Sequence, residues 1–255
     1  MSIEIAIFLA IASGFAGFVD AMAGGGGLIQ LPALIIGLPN KDIALILGTN
    51  KVPSVFGTAA AARNYFKNIK PDIPLTLSMM LPAFIGSMAG AALAASIPVS
   101  FFRPFIVLLL ITVAIYTWRK PQLGISENLK FTQNKRLVLV ALIGFLIGFY
   151  DGIFGPGTGT FLVFFLVSVI GYAFLKASGT AKLVNLSTNI GAILSFQLTG
   201  HIWWQLGLLL AFANVTGAII GSHLAIKGGS ALVRKVFLLV VFLLITRVAW
   251  DTFIS

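Results

Sequence analysis

Long apolar stretches alternate with short polar breaks along the whole chain. Most stretches are long enough to cross a hydrocarbon core about 30 Å thick, but two near the glycine-rich breaks are too short. These two are either short crossing helices or re-entrant half-helices. The pattern predicts an all-α polytopic membrane protein with eight to ten membrane segments. The apolar segments fall at 3–23, 28–38, 43–62, 74–96 and 103–119, and then at 137–154, 159–171, 177–197, 205–226 and 232–252.

The second half of the chain repeats the first at a constant offset, so that position 17 corresponds to position 148. The sequence therefore predicts two membrane repeats, 1–119 and 137–255, joined by a linker at 120–136. Duplicated membrane halves are typical of transporters, whose substrate site lies where the repeats meet. The motif 17–20 returns at 148–151, Gly24 and Gly26 return as Gly155 and Gly157, 48–51 returns as 179–182, and Gly86 and Gly90 return as Gly217 and Gly221.

Composition excludes most other classes of protein. Charged residues are 9% of the chain and hydrophobic residues 58%, whereas a soluble domain carries about a quarter charged residues. The absence of cysteine excludes disulfides and thiolate chemistry. The net charge of +10 does not indicate nucleic acid, because the basic residues lie in short loops. No cofactor or metal site is expected. The segment 1–22 lacks a basic start, so we expect a retained helix rather than a signal peptide.

The positions of the basic residues favour an inverted arrangement of the repeats. If every segment crosses, each half contains five crossings and the second half is inverted. With the N-terminus outside, 12 of the 17 basic residues then lie in inside loops, as the positive-inside rule requires. With four crossings per half, Lys227, Arg234 and Lys235 would lie opposite the basic linker. The inverted arrangement is therefore the prediction, with 120–136 on the cytoplasmic side.

Each half carries one lysine and one aspartate at matched positions inside its apolar segments. Lys51 and Lys182 lie at mid-segment, where a charge costs at least about 2.5–3.5 kcal/mol. We expect them to form an anion site where the repeats meet, the alternatives being a structural ion pair or lysines that reach the membrane surface. Asp20 and Asp151 are candidates for proton coupling, with helix capping or a structural counter-charge as the alternative.

The runs 24–27 and 155–159 break helices rather than bind nucleotides, because no strand precedes them and no Gly-Lys-Ser/Thr ending follows. Freed backbone groups are tolerated in a membrane only inside protein or beside a watery cavity. The helix after each run directs N–H groups towards such a cavity and favours an anion. Close packing through small residues is the alternative. The candidate backbone donors are Gly25, Gly26, Gly157 and Thr158.

Small polar residues surround each lysine at helical spacing. Positions 51, 54 and 58 share one helix face, as do their equivalents 182, 185 and 189. Such a stripe suits an anion-lined path, although interhelical hydrogen bonds would also use it. The candidate substrate ligands on these segments are Thr49, Asn50, Thr180, Asn185 and Asn189, with Ser54, Thr58, Ser187 and Thr188 beside them.

These motifs resemble the TauE/SafE family of bacterial membrane proteins, which are described as sulfite and organosulfonate exporters. The resemblance covers nearly the whole chain and is closest to the YfcA-like branch, most of whose members lack an assigned substrate. It implies a small sulfur-containing anion as substrate and a bacterial inner-membrane location. It is carried by 17–32 and 48–51 in the first half, and by 150–159 and 182–189 in the second.

The sequence thus predicts a multi-pass transporter that exports a small oxyanion such as sulfite or a sulfonate by alternating access. Three rivals stay open: an anion channel, an intramembrane enzyme and a scaffold. The lack of a nucleophile and base argues against an enzyme, and the energetic cost of buried charges argues against a scaffold. The identity of the anion, the direction of transport, coupling to protons and the formation of a homodimer are left open.

Overall fold

The computed structural model describes residues 2–94 and 103–253, with the side chains of 2–94, 111–243 and 245–246. The described residues are largely helical and contain no strand. The helices are α1 (Ile3–Ala23), α2 (Gly27–Gly37), α3 (Ile43–Asn68), α4 (Ile73–Leu93), α5 (Arg103–Arg119), α6 (Gln133–Ile153), α7 (Thr158–Phe165, continued by a π-helical turn at Leu166–Ile170), α8 (Phe174–Leu198) and α9 (Trp204–Phe253).

Glycines in the left-handed region set the breaks that the sequence predicts. Gly24 (φ 83°) ends α1, and its N–H donates to the Asp20 carbonyl at 2.8 Å. Gly157 (φ 87°) precedes α7. Gly229 (φ 66°) interrupts α9 and divides it into two helices, at 204–228 and 230–253. A residue with a Cβ is disfavoured at such angles, so these glycines fix where the helices turn.

The constant offset between the repeats relates helices as well as motifs. Adding this offset to α1, α2 and α3 gives α6, α7 and α8 within a residue or two, apart from the π-helical end of α7. Adding it to α4 and α5 gives the two parts of α9. The all-α fold with two repeats and short helices after the glycine runs is thus confirmed.

The two repeats are inverted relative to each other. Gly48, near the start of α3, packs against Phe196 near the end of α8, and Gly179 near the start of α8 packs against Tyr65 near the end of α3. These equivalent helices therefore run antiparallel. An even number of crossings per half would have made them parallel, so the arrangement favoured by the charge pattern is the observed one.

Tightly packed glycines hold the repeats together. Helix α4 lies along α6, and a Cβ on Gly90 would come within 2.1 Å of the Phe149 carbonyl oxygen. Helix α1 lies along the first part of α9, where a Cβ on Gly217 would come within 1.8 Å of the Gly14 carbonyl oxygen. Only glycine permits such approaches, which is how membrane helices pack without a hydrophobic driving force.

The basic loops gather on one face of the bundle. Lys176 at the start of α8 pairs with Glu127 of the linker at 2.7 Å. Arg234 donates to the Thr117 carbonyl at 2.8 Å, which brings the break in α9 to the end of α5. Lys130 of the linker donates to the Ser168 carbonyl at 2.6 Å. We call this the basic face, and the side with 38–42 and 199–203 the opposite face.

Apolar side chains cover the outside of the bundle. Four helices are long and apolar enough to cross a membrane, judged by length and composition among the described residues: Ile3–Ala23, Ile73–Leu93, Gln133–Ile153 and Trp204–Leu243. On α1 the outward side chains recur at every fourth residue, as Ile7, Ile11 and Phe15. The chain is a multi-pass membrane protein.

Some element bounds differ from the sequence expectation. Helix α3 continues to Asn68, six residues past the predicted end, because its last turns are polar and do not belong to the apolar stretch that marked the segment. Helix α6 begins at Gln133, inside the predicted linker, because Thr132 accepts the first backbone bond from Arg136. The break between the predicted segments 74–96 and 103–119, which the sequence places at Pro98, lies outside the described residues. Helix α2 has 11 residues, about 16 Å, and is too short to span the bilayer by itself.

Candidate functional site

The first buried ion pair joins the two repeats. Lys51 Nζ of α3 lies 2.8 Å from Asp151 Oδ2 of α6, and the two side chains are 4% and 3% exposed. Lys51 also donates to the Asp151 backbone carbonyl at 2.8 Å. Helix α6 ends at Ile153, which leaves the last carbonyls without intrahelical partners and free to accept from the ammonium.

The second ion pair is the repeat-equivalent of the first. Lys182 Nζ of α8 lies 2.7 Å from Asp20 Oδ2 of α1, with side-chain exposures of 1% and 20%. The Gly26 N–H donates to Asp20 Oδ1 at 3.4 Å, so this carboxylate also contacts the glycine run that follows it. Each lysine therefore pairs with the aspartate of the opposite repeat, which the offset alone does not reveal.

The two lysines lie at different depths. Gly179 lies level with Tyr65, so Lys182 lies level with position 62 of α3, eleven residues and about 16 Å beyond Lys51. This difference in depth arises because α3 and α8 are antiparallel and each carries its lysine near its start. The two lysines therefore start from different levels of the bundle, whereas the sequence suggested one anion site shared by both.

A small cavity lies between the two pairs, at the centre of the bundle. Its volume is about 30 Å³, which is room for about two water molecules. Most predicted site residues line it. They are Asp20, Gly26, Asn50, Lys51, Asp151, Gly157, Thr158, Asn185 and Asn189, together with Ala16, Gly24, Gly27, Gln30, Ser54, Thr58, Gly155, Gly159 and Asn214.

The glycine runs of both repeats meet at this cavity. A Cβ on Gly24 would lie 2.3 Å from the Gly159 carbonyl carbon, so the two runs are in backbone contact. The Thr160 N–H donates to the Gly24 carbonyl at 3.1 Å. Since α2 and α7 begin immediately after these runs, their N-terminal ends face the cavity with a partial positive charge.

Four predicted site residues lie outside the cavity lining. Lys182 stands behind Asp20. Gly25 packs against Val240. The Thr49 hydroxyl accepts from the Trp203 N–H at 2.9 Å and fastens the loop of the opposite face. The Thr180 hydroxyl is buried without a hydrogen-bond partner among the described residues.

Sequence reasoning missed two cavity residues, Gln30 and Asn214. Gln30 is the single amide of α2 and Asn214 lies within an apolar stretch of α9, and their repeat equivalents are Phe161 and Ala83. A search based on polar residues that match between the two repeats does not find them. The available signal was the free-energy cost of placing an amide in a membrane segment. A polar side chain there is a reason to suspect function even when the other repeat has no polar counterpart.

The family is identified by comparison with known proteins. A family model described as "Sulfite exporter TauE/SafE" matches residues 9–248. The chain belongs to the TauE/SafE family. The resemblance found in the glycine and lysine motifs is thereby confirmed.

Curated relatives of this TauE/SafE chain are named as transporters. It is 34% identical over 253 residues to "Probable membrane transporter protein ORF9" of a Sinorhizobium species, covering 98% of this chain and 95% of that protein. It is 33% identical over 241 residues to "Probable membrane transporter protein YfcA" of Escherichia coli K12, covering 93% and 87%. No solved structure matches the chain. Family and relatives support a membrane transporter.

The site combines two buried lysine–aspartate pairs with polar groups from both repeats. Two ammonium groups are matched by two carboxylates, so the formal charges of these four side chains cancel. Glycine N–H groups and side-chain amides supply further donors around the cavity. Among the described residues no group of three histidine, cysteine, aspartate or glutamate side chains could hold a metal ion.

Proposed function

We propose that this TauE/SafE protein exports a small sulfur oxyanion, sulfite or a small sulfonate, across the bacterial inner membrane by alternating access. The single observation that carries the proposal is the central cavity with a lysine–aspartate pair from opposite repeats on either side. Buried pairs are weak devices for stability. Two such pairs at matched positions, each joining one repeat to the other, suit a site that binds and releases charge.

Lys51 is the anion-binding group in this mechanism. It lines the cavity, and an oxyanion there competes with the Asp151 carboxylate for the same ammonium. The partially positive N-terminal ends of α2 and α7 and the amides of Asn185 and Asn189, which line the cavity, face the remaining oxygens. The volume of about 30 Å³ is small, so the repeats separate slightly to admit the anion.

A proton accompanies the anion. The charges of the two lysine–aspartate pairs cancel, so adding an anion alone would bury a net charge at high cost. Protonation of Asp20 cancels that charge and releases Lys182 at the same time. Asp20 is suited to this role because its side chain is 20% exposed, whereas that of Asp151 is 3% exposed.

Alternating access follows from the depths of the two pairs. Lys51 lies nearer the opposite face and Lys182 nearer the basic face, with the cavity between them. Separation of Asp20 from Lys182 opens the cavity towards the basic face. Separation of Asp151 from Lys51 opens it the other way. The repeats rock against each other between these two states.

The test is sulfite and sulfonate flux into proteoliposomes, with and without a pH gradient. The decisive variant is Lys51→Met combined with Asp151→Leu, which removes the pair without leaving a buried charge. Loss of a charge-assisted contact predicts at least about a tenfold lower flux. Lys67→Ala, at an exposed lysine, is the matched control and should transport at the wild-type rate.

Three results would contradict parts of this proposal. Wild-type flux in the inserted double variant removes Lys51 from the site. Flux that does not saturate with anion concentration, and that never accumulates the anion against its own gradient, indicates a channel. No flux of any sulfur oxyanion leaves the transporter architecture in place and removes the proposed substrate.

A further inference from the structure

A buried amide cluster forms one wall of the cavity. Gln30 is 3% exposed and Asn214 is 4% exposed. Asn214 Nδ2 donates to Gln30 Oε1 at 2.8 Å and to the Ser13 backbone carbonyl at 3.0 Å. The Ser13 hydroxyl donates to the Leu210 carbonyl at 3.0 Å and points to Gln30 Oε1 at 3.4 Å. Helices α1, α2 and α9 thus converge on a single glutamine.

This network fixes which end of the Gln30 amide is free. A backbone carbonyl can only accept, so the Asn214 atom that contacts Ser13 is the donor nitrogen. That nitrogen also faces Gln30, which must present its oxygen. The Gln30 Nε2 group is then left over, and it is buried without a hydrogen-bond partner among the described residues. Leaving a buried donor unpaired is unfavourable, so its retention indicates a partner that binds there.

The cluster exists on one side of the cavity only. The repeat equivalents of Ser13, Gln30 and Asn214 are Gly144, Phe161 and Ala83. The inverted fold therefore forms without an amide at this place in the second repeat. Packing of the repeats does not require Gln30, whereas the cavity that it lines also contains Lys51.

We propose that Gln30 Nε2 is a specificity-determining donor to one oxygen of the transported oxyanion, with Asn214 as its positioning residue. The inference rests on the proposed function and adds a directional contact to it. The Lys51 ammonium attracts any small anion, whereas an oriented N–H group forms a hydrogen bond only with an oxygen at one position. A site with a buried donor rejects ligands that leave it unpaired, so oxyanions should bind better than halides.

The test exploits the closeness in shape of glutamine and glutamate. Gln30→Glu keeps the acceptor for Asn214 and replaces only the free donor by an acceptor, and Gln30→Met removes the amide without adding charge. Both should raise KM for sulfite by about tenfold or more with little change in maximal rate. Gln197→Glu is the matched control, because Gln197 Oε1 accepts from Trp204 at 2.7 Å outside the cavity.

The role of Asn214 has a separate readout. Asn214→Ala should raise KM in the wild-type background and have no further effect on KM once Gln30 is methionine. A merely structural residue would lower the thermal unfolding midpoint and the maximal rate equally in both backgrounds. The double-mutant cycle therefore distinguishes positioning from packing.

Failure of this inference is distinguishable from failure of the proposed function. Lys51-dependent flux with an unchanged KM in Gln30→Glu and Gln30→Met overturns the inference alone. A raised KM in Gln30→Glu but not in Gln30→Met also overturns it, because repulsion then explains the effect. If the wild type transports no sulfur oxyanion, the inference is tested by binding instead. The thermal unfolding midpoint is measured with sulfite, sulfate, phosphate, nitrate and chloride. Stabilisation by an oxyanion that Gln30→Met abolishes and Gln197→Glu retains supports the donor; any other result overturns it.

Discussion

The two ion pairs occupy equivalent places in the repeats but differ in how firmly each lysine is held. Lys51 Nζ donates to both the carboxylate and the backbone carbonyl of Asp151, and both side chains are buried. Among the described residues, Lys182 Nζ donates to Asp20 alone, whose side chain is 20% exposed. Protonation of Asp151 leaves Lys51 with its bond to the backbone carbonyl, whereas protonation of Asp20 leaves Lys182 with only a neutral carboxyl group as partner. This difference supports the proposal that the second pair is the one that takes up the proton.

The local sequence explains this difference. Tyr150 precedes Asp151, and its hydroxyl donates to the Pro156 carbonyl, which holds the loop 154–157 over the first pair. The residue equivalent to Tyr150 is Val19, which has no hydroxyl. The loop that follows Asp20 contains four glycines and no proline. A duplicated motif has thus acquired one shielded and one accessible carboxylate through its neighbours.

The largest effect is expected from removing one carboxylate at a time. Asp20→Asn leaves the Lys182 ammonium buried without a counter-charge, a change that costs about 3–5 kcal/mol. Asp151→Asn should cost less, because Lys51 keeps its bond to the backbone carbonyl. Asp20→Asn should also abolish the response of flux to a pH gradient, whereas Asp151→Asn should retain it. Thermal unfolding and flux at two pH gradients measure both quantities.

The opposite effects of the two variants on the pH-gradient response would reverse the roles assigned to the two pairs. If Asp151→Asn lost the response to the gradient and Asp20→Asn retained it, the shielded pair would be the proton site. Asp42→Asn, at a carboxylate of the opposite face that lies 3.6 Å from His201 Nε2, is the matched control. It should leave both the unfolding midpoint and the gradient response near their wild-type values.

A smaller contrast is expected between equivalent glycines of the two runs. At Gly24 (φ 83°) a Cβ would lie 2.3 Å from a backbone carbon, and at Gly155 (φ 91°) it would lie 3.1 Å from Lys51 Nζ. Both alanine variants incur about 1–2 kcal/mol of left-handed strain. Gly24→Ala should lose more stability, because backbone cannot move aside. Gly155→Ala should mainly reduce flux by displacing the ammonium.

Gly200→Ala provides the reference for strain alone. Gly200 also has a positive φ of 73°, and nothing lies within 4 Å of a Cβ built there. Subtracting its change in unfolding free energy leaves the contact contribution at the other two sites. Equal losses for Gly24→Ala and Gly155→Ala after this subtraction would show that the runs can separate without cost.

Sequence predicted the architecture well because it depends on patterns that repeat. The apolar segments, the glycine breaks and the position of the basic loops each follow from physical rules that act locally or on the chain as a whole. The partners of Lys51 and Lys182 could not be predicted in this way. An offset shows which residues are equivalent, whereas contacts depend on the axis that relates the repeats. In the structure the Lys51 ammonium meets Asp151 of α6 rather than Asp20 of α1.

The asymmetric part of the site was harder to predict for the same reason. Gln30 and Asn214 have no polar counterpart, so the internal repeat gives no support for them. Thr49 and Thr180 present the reverse case, because matched residues suggested one shared role. In the structure one hydroxyl fastens a loop and the other has no partner among the described residues. Repetition identifies positions of common origin, and local packing decides what each does.

The matched threonines offer the smallest and most selective test of the comparison. Thr49→Val removes the acceptor for the Trp203 N–H and should destabilise the protein by about 1–2 kcal/mol. Thr180→Val removes a buried hydroxyl that has no partner among the described residues, so it should be neutral or slightly stabilising. Thermal unfolding of the two variants measures the difference. A loss of flux in Thr180→Val without a loss of stability would show that this hydroxyl finds its partner in another state of the cycle, with the cavity open to the basic face. Equal destabilisation would show instead that both hydroxyls are structural.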